Sequence, residues 1–344
     1  MITEILGIDV PLIQAPMAGV QDSELAIAVC QAGALGSLPC ATYSPDKLAE
    51  QLDLLRQGTH LPVNLNFFCH SPPPEKDGRQ QSWYQALAPY YRELGINPLP
   101  PQKSSPRKPF DADTLAVLKS FAPAVVSFHF GLPEPALLDP LKAMGACIVS
   151  SATTVSEAQW LASRGADMVI AQGLEAGGHR AMFLTEDIST QMGIMSLLPR
   201  ILDAVNLPVI AAGGLSDARS VKAALTMGAA GVQSGTAFLL CHEARTSAVH
   251  RAALQSEEAV HTALTNLFSG RPARSIVNRL MREMGPMSEQ VPAFPTAGEA
   301  LLPLRRITEA QGAGDFMPLW SGQRADAARV CSAAEVVKAL TSLI

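Results

Sequence analysis

The stretch Met168-Val-Ile-Ala-Gln-Gly-Leu-Glu-Ala-Gly-Gly-His179 runs from apolar residues straight into a polar, glycine-rich turn. A buried parallel strand reads as a continuous apolar run, and Gly-Gly lets backbone approach a ligand closely. Gln172, Glu175 and His179 therefore leave the C-terminal end of one strand, where α/β folds place their sites. Two more strand ends are rich in glycine: Gly213-Gly214, and Gln233-Ser234-Gly235-Thr236. Backbone N–H groups and a helix N-terminus at such ends can receive a phosphate, which points to a mononucleotide cofactor or a phosphorylated substrate. Asn66 and Gln172 are amides at apolar strand ends. An amide both donates and accepts, which suits a heterocycle with alternating N–H and C=O groups, such as a flavin. His129, in Ser-Phe-His-Phe-Gly, shares a strand face with Ser127, while the two phenylalanines take the other face. There it can accept a proton near neutral pH. Tight turns, core-satisfied amides and a structural histidine explain each of these residues singly, so the chemical reading rests on their convergence.

Eight strands must position these groups. The apolar runs predict them at Pro11–Met17, Ala34–Cys40, Leu61–Phe68, Ala124–Phe130, Cys147–Ala152, Met168–Gly173, Pro208–Gly214 and Gly231–Phe238. Helical patterns lie between most of them, at 134–145, 156–164, 193–205 and 216–227. Ser23 can cap a helix over Glu24–Ala32, and Ser44-Pro45 can start another. Strand–helix alternation implies a parallel sheet, and eight units are the count of a (β/α)8 TIM barrel. No G-x-G-x-x-G follows the first strand, so the dinucleotide fingerprint is missing. Two proline-rich stretches flanking one amphipathic helix read as an insertion over 70–112, an expected flap. The expected organisation is a barrel over 1–242 and a mostly helical segment over 243–344 that closes its mouth.

Composition narrows the function. Hydrophobic residues make up 48% and charged residues 17% of 344, which fits a compact α/β enzyme rather than a disordered chain. A net charge of −5 suggests no nucleic-acid partner. No apolar run reaches the roughly 18 residues of a membrane span, and the first residues carry acids instead of a basic, then apolar, leader. Six scattered cysteines without a C-x-x-C pair are expected to be buried thiols in a reducing cytoplasm. No H-E-x-x-H, G-x-S-x-G or clustered metal ligands occur.

Six strings carry a family resemblance: QAPM (14–17), NLNFFCH (64–70), SFHFGLP (127–133), AQGLEAGGHR (171–180), AAGGL (211–215) and QSGTAF (233–238). Together with SGRPARSIVNR and FMPLWSGQ they resemble the FMN-dependent nitronate monooxygenases, in the class with the SFHFG histidine. The resemblance spans nearly the whole chain. It implies non-covalent FMN held by Asn66, Gln172, Gly177, Gly214 and Gln233–Thr236, with Met17 and Gly213 at the same strand ends. It implies His129 as the catalytic residue facing the substrate. The implied reaction turns an alkyl nitronate, such as propionate 3-nitronate, and dioxygen into a carbonyl compound and nitrite. His129 would hydrogen-bond the nitro group, or act as base towards a neutral nitroalkane. The resemblance leaves a monomer or a homodimer open. One departure concerns the substrate pocket: Pro295 and Glu299 stand where the family carries Tyr and Lys. Arg271, Arg274 or Arg279 could supply the positive charge instead. Glu175 and His179 remain unassigned between supporting the site and touching substrate, and His70 is given no role. Competing readings are an NAD(P)H-dependent quinone or enoyl reductase on the same barrel, and a flavin-free phosphate-binding barrel.

Overall fold

The computed structural model describes residues 2–73, 78–97 and 107–344. Eleven strands lie among them: β1 (Leu12–Gln14), β2 (Gly36–Pro39), β3 (Val63–Phe68), β4 (Val125–His129), β5 (Cys147–Ala152), β6 (Met168–Gln172), β7 (Gly178–His179), β8 (Val209–Ala212), β9 (Gly231–Ser234), β10 (Thr262–Thr265) and β11 (Ala273–Ile276). Eight of them form one parallel sheet in the order β1-β9-β8-β6-β5-β4-β3-β2. Leu35 N–H donates to Leu12 O and Gln14 N–H to Leu35 O, both at 2.9 Å, bringing the first and last strands together. The result is a TIM barrel, as the strand count implied.

Period-two alternation builds it in layers. On the inner face Ile13, Leu35, Val125, Val149, Met168 and Ile210 form an apolar plug, closed below by Ile2 and Leu6 of a short N-terminal helix, Ile2–Leu6. The intervening residues, such as Leu12, Val169 and Val209, pack outward under the helices. One step further along the strands the inner residues become polar: Asn66, Ser127, Ser151, Gln172 and Gln233 line a cleft instead of a core. A switch from apolar to polar at one height defines the floor of the mouth.

The C-terminal helix Ala333–Thr341 packs on the outside of the barrel, while other added elements cover the mouth. The antiparallel sheet β10-β11-β7 joins a C-terminal hairpin to the loop after β6. The segment after 243 thus holds strands that a helical reading did not foresee, because Thr262–Thr265 and Ala273–Ile276 are too short to declare a period. The helix Arg79–Glu93 of the insertion packs on the C-terminal helix Ala297–Ala310. Trp83 Nε1 donates to Ala297 O at 3.1 Å and Tyr91 Oη to Ala300 O at 2.6 Å. Trp83, Leu87, Leu301, Leu304 and Phe316 share one apolar cluster there. Parts of the two proline-rich flanks, 74–77 and 98–106, lie outside the described residues.

Several boundaries differ from expectation. Strand pairing stops where the chain bends into the cleft, so β1 ends at Gln14 and β9 at Ser234, the latter followed by a 3-10 turn, Thr236–Phe238. Asp22, not Ser23, caps the helix Ser23–Gln31, accepting from Glu24 N–H. Phe130 does not lie opposite His129. Its backbone enters the left-handed region at φ 69°, which swings its ring beside His129, with centroids 4.9 Å apart.

Candidate active site

All eleven residues singled out from the sequence line one cleft at the C-terminal ends of the strands: Met17, Asn66, His129, Gln172, Gly177, Gly213, Gly214, Gln233, Ser234, Gly235 and Thr236. The cleft opens to solvent at its mouth. Its lining contains no Asp or Glu among the described residues, but two arginines, Arg107 and Arg324.

One end is built by glycines. Gly213 and Gly214 have φ of 116° and 70°, a backbone that a side chain would strain. The N–H groups of Gly214, Gly235 and Thr236 meet no acceptor among the described residues. Ser234 Oγ donates to Leu215 O at 2.8 Å, tying the two glycine loops together, so its hydroxyl hydrogen is committed. Thr236 Oγ1 accepts from Gly322 N–H at 3.0 Å, which brings the C-terminal segment over this end. Arg324 follows it and meets Asp217 at 3.5 Å. Gln233 Oε1 is buried beside the floor without a partner. Buried amide oxygens are rarely left so.

The other end is built by the loop that opened the sequence reading. His179 O accepts two hydrogen bonds, from Gln172 Nε2 at 2.9 Å and from His129 Nε2 at 3.2 Å. A carbonyl only accepts, so His129 carries its proton on Nε2 and presents Nδ1 as an acceptor. Gln172 Oε1 also accepts from Ala181 N–H at 2.9 Å. The amide expected to meet a cofactor therefore also pins this loop, and keeps one N–H for the cleft. Arg180 is fully buried and donates to Gln172 O, Gly173 O and Gln191 Oε1, locking the end of β6. Burial, chiefly, lowers its pKa to about 9, with Glu175 and Glu157 opposing. Glu175 points away from the cleft: both its carboxylate oxygens accept from Ile194 N–H at 3.0 Å, at the start of the helix Ile194–Ala204. That helix has no side-chain cap of its own, so Glu175 complements its N-terminus. Gly177 has a packing reason too, since a Cβ would sit 2.5 Å from Gly322 N.

Aromatic rings enclose this end. Phe68, Phe130 and Phe294 cluster with His70, His129 and His179. His179 Nε2 meets Ser269 Oγ at 2.9 Å, and that hydroxyl donates to Arg271 O, so His179 is also the Nε2–H tautomer. Burial pushes His129 down to about 4, with Arg180 and Arg271 adding repulsion and the bond to His179 O opposing. Burial first, then nearby arginines, holds His179 well below its ordinary range as well. Both rings are neutral near pH 7.

The three arginines that could have supplied a cation are engaged elsewhere. Arg271 lies over Phe130 and donates to Met182 O. Arg274 donates to Leu174 O. Arg279 pairs with Glu93 and Glu283. None of the three lines the cleft, and neither does Pro295 or Glu299. Glu299 is half-buried on the helix Ala297–Ala310, where burial raises its pKa. Sequence reasoning missed Arg107, Arg324, Trp320 and His250, which line the cleft from the insertion and the C-terminal segment. The WSGQ string was the available signal for Trp320; His250 sits in an ordinary amphipathic helix and offered none.

Comparison with known proteins agrees with this geometry. The family model described as nitronate monooxygenase matches residues 1–342. The chain is 40% identical over 341 residues to the nitronate monooxygenase of Pseudomonas aeruginosa, covering 98% of this chain and 97% of that one. It is 40% identical over 339 residues to that of Paraburkholderia phytofirmans, covering 98% and 92%. Among solved structures, the nitroalkane oxidase of Streptomyces ansochromogenes superposes with a TM-score of 0.90 at 36% identity, covering 99% and 96%. FabK of Thermotoga maritima superposes with a TM-score of 0.73 at 25% identity, covering 99% and 94%. With a barrel-mouth histidine, two glycine-rich strand ends and full-length similarity in agreement, the chain belongs to the nitronate monooxygenase family.

Proposed function

We propose that the cleft binds FMN and that the protein oxidises alkyl nitronates with dioxygen, giving a carbonyl compound and nitrite. The observation that carries this reading is the convergence of His129 and two glycine-rich loops on one acid-free cleft. The residues present fit the cofactor. Uncommitted N–H groups at Gly214, Gly235 and Thr236 would hold its phosphate. The unpartnered Gln233 Oε1 and the free amide hydrogen of Gln172 would meet its ring, with Asn66 and Met17 beside them. Bound FMN supplies the electron transfer and the reaction with dioxygen.

The rest belongs to this chain. The cleft lining repels no anion and contains two arginines, so it favours the nitronate over the neutral nitroalkane. His129 is neutral and fixed by its bond to the His179 carbonyl. Its Nδ1 can take a proton from the carbon of a neutral nitroalkane, and an imidazole so protonated would hydrogen-bond the nitronate it formed. The aromatic wall excludes water around that atom. On this reading residues 1–242 hold the cofactor, while the segment 243–344 and the inserted helix cover the substrate end.

Anaerobic titration of the purified protein tests the reading. A yellow protein bleached by propionate 3-nitronate, but not by NADH or NADPH, is the expected result. Rapid bleaching by NADH would transfer the site to a reductase, and a colourless protein that takes up no FMN would remove the flavin altogether.

A further inference from the structure

We propose that Arg107 is a specificity-determining residue of this cleft: its guanidinium binds a carboxylate carried by the substrate at a distance from the carbon that reacts. The inference rests on the proposed function and gives one of its two cleft arginines a specific partner.

Three observations support it. First, the main chain at Arg107 is anchored to the barrel. His70 Nε2 donates to Arg107 O at 3.2 Å, and Phe110 N–H donates to Phe68 O at 2.8 Å. Both anchors sit at the end of β3, so the chain leaving the insertion re-enters at a fixed height beside the mouth. His70 is thereby a positioning residue. Second, Arg107 lines the cleft with its guanidinium over the Phe294 ring at 5.9 Å. That ring is 5.3 Å from His179 and 4.8 Å from His70. Arg107 thus belongs to the aromatic end, whereas Arg324 stands beside Gly322 and Asp217 at the glycine end. Third, Arg107 stands on the Phe294 side of this end, the side on which Phe294 meets His179 and His70. A cation on the Phe294 side of the cleft can meet a second negative group of the substrate while His129 faces the carbon that reacts. A guanidinium matches a carboxylate with two parallel donors, and partial burial strengthens the contact.

The test compares two substrates in FMN-loaded wild type, R107Q and R107K. Propionate 3-nitronate carries the carboxylate and propyl nitronate lacks it. In R107Q the ratio of their kcat/KM values should fall by about 10- to 100-fold, the scale of one lost charge-assisted hydrogen-bond pair. The change should appear mainly in KM for the carboxylated substrate. R107K should recover part of the ratio, because it keeps charge without the fork. Calorimetric binding of 3-nitropropionate and of 1-nitropropane to the same three proteins gives a second readout. R107Q should weaken the first at least about tenfold more than the second. A ratio within twofold of wild type in both R107Q and R107K, or equal weakening of both nitro compounds, overturns the inference. If wild type oxidises no nitronate, the proposed function fails, and the calorimetry still decides the role of Arg107.

Discussion

Gln172 offers a sharp test of how the site is held. Its side chain makes two bonds inside a buried loop: Nε2 to His179 O at 2.9 Å and Oε1 from Ala181 N–H at 2.9 Å. Gln172 is 7% exposed and Ala181 0%. Gln172→Leu removes both bonds and leaves the Ala181 N–H unpaired and out of reach of water. One lost bond contributes about 0.5–1.5 kcal/mol, and an orphaned buried donor about 1–3 kcal/mol. The expected loss is therefore about 2–4 kcal/mol in unfolding free energy of the cofactor-free protein, read by urea denaturation. Gln172→Glu separates the two bonds. A carboxylate still accepts from Ala181, but faces the His179 carbonyl with no proton to donate. Burial raises its folded pKa above the unfolded value of about 4.3, so the variant approaches wild-type stability at acid pH and falls behind as pH rises past that value. Gln172→Leu within about 0.5 kcal/mol of wild type would refute the pinning role. It would leave Gln172 as a cofactor contact alone.

Three further outcomes are expected. His129→Asn should retain FMN while turnover falls at least about tenfold; unchanged kinetics would return this histidine to a structural role. Its folded pKa is depressed to about 4, so the unfolded chain takes up its proton first. Between pH about 6.5 and 4 wild type should lose stability as pH falls, and His129→Asn should lose less. A urea midpoint with the same pH slope in both proteins would contradict that. Gly177→Ala places a Cβ 2.5 Å from Gly322 N and 2.6 Å from Ser321 C, both backbone. Overpacking of this kind should destabilise by about 1–3 kcal/mol in urea melts, and a melt unchanged from wild type would show that the Ser321–Gly322 segment gives way freely. Gly235→Val meets Ala15 Cβ at 3.2 Å and the Met17 side chain and should weaken FMN binding, measured by flavin retention on dialysis. Full occupancy there would remove the phosphate assignment.

The barrel was legible because its signals are local. Each strand is an apolar run whose period of two is fixed by the chain itself, and the polar residues Asn66, His129 and Gln172 announced where each run reaches the mouth. The loop at Gly213 and Gly214 was legible for the same reason, since that pair takes φ of 116° and 70°, a backbone that side chains rarely adopt. What stayed hidden depends on partners far away in sequence. Gln172 is a loop pin only because Ala181 and His179 return to it. Glu175 looked like a site residue because an acid next to glycines at a strand end carries no sign of which helix N-terminus it will meet. Phe130 turned from outer to inner face through one left-handed residue, which no alternation rule contains. The C-terminal hairpin was missed because four-residue strands become visible only once β7 offers an edge to pair with.

That distribution of signals matches a division of labour. The barrel contributes groups whose positions follow from strand period alone: the floor amides, His129 and the glycine loops. On the proposed function these are the parts that any substrate of the reaction requires. Arg107 and Trp320 reach the cleft from the insertion and the C-terminal segment, which are tied to the barrel mouth by contacts such as His70 to Arg107 O and Thr236 to Gly322 N. Loops on a rigid scaffold tolerate change far better than strands do. Specificity can then shift by altering the covering segments while the reacting geometry stays fixed. Pro295 and Glu299, in the C-terminal covering segment, do not reach the cleft.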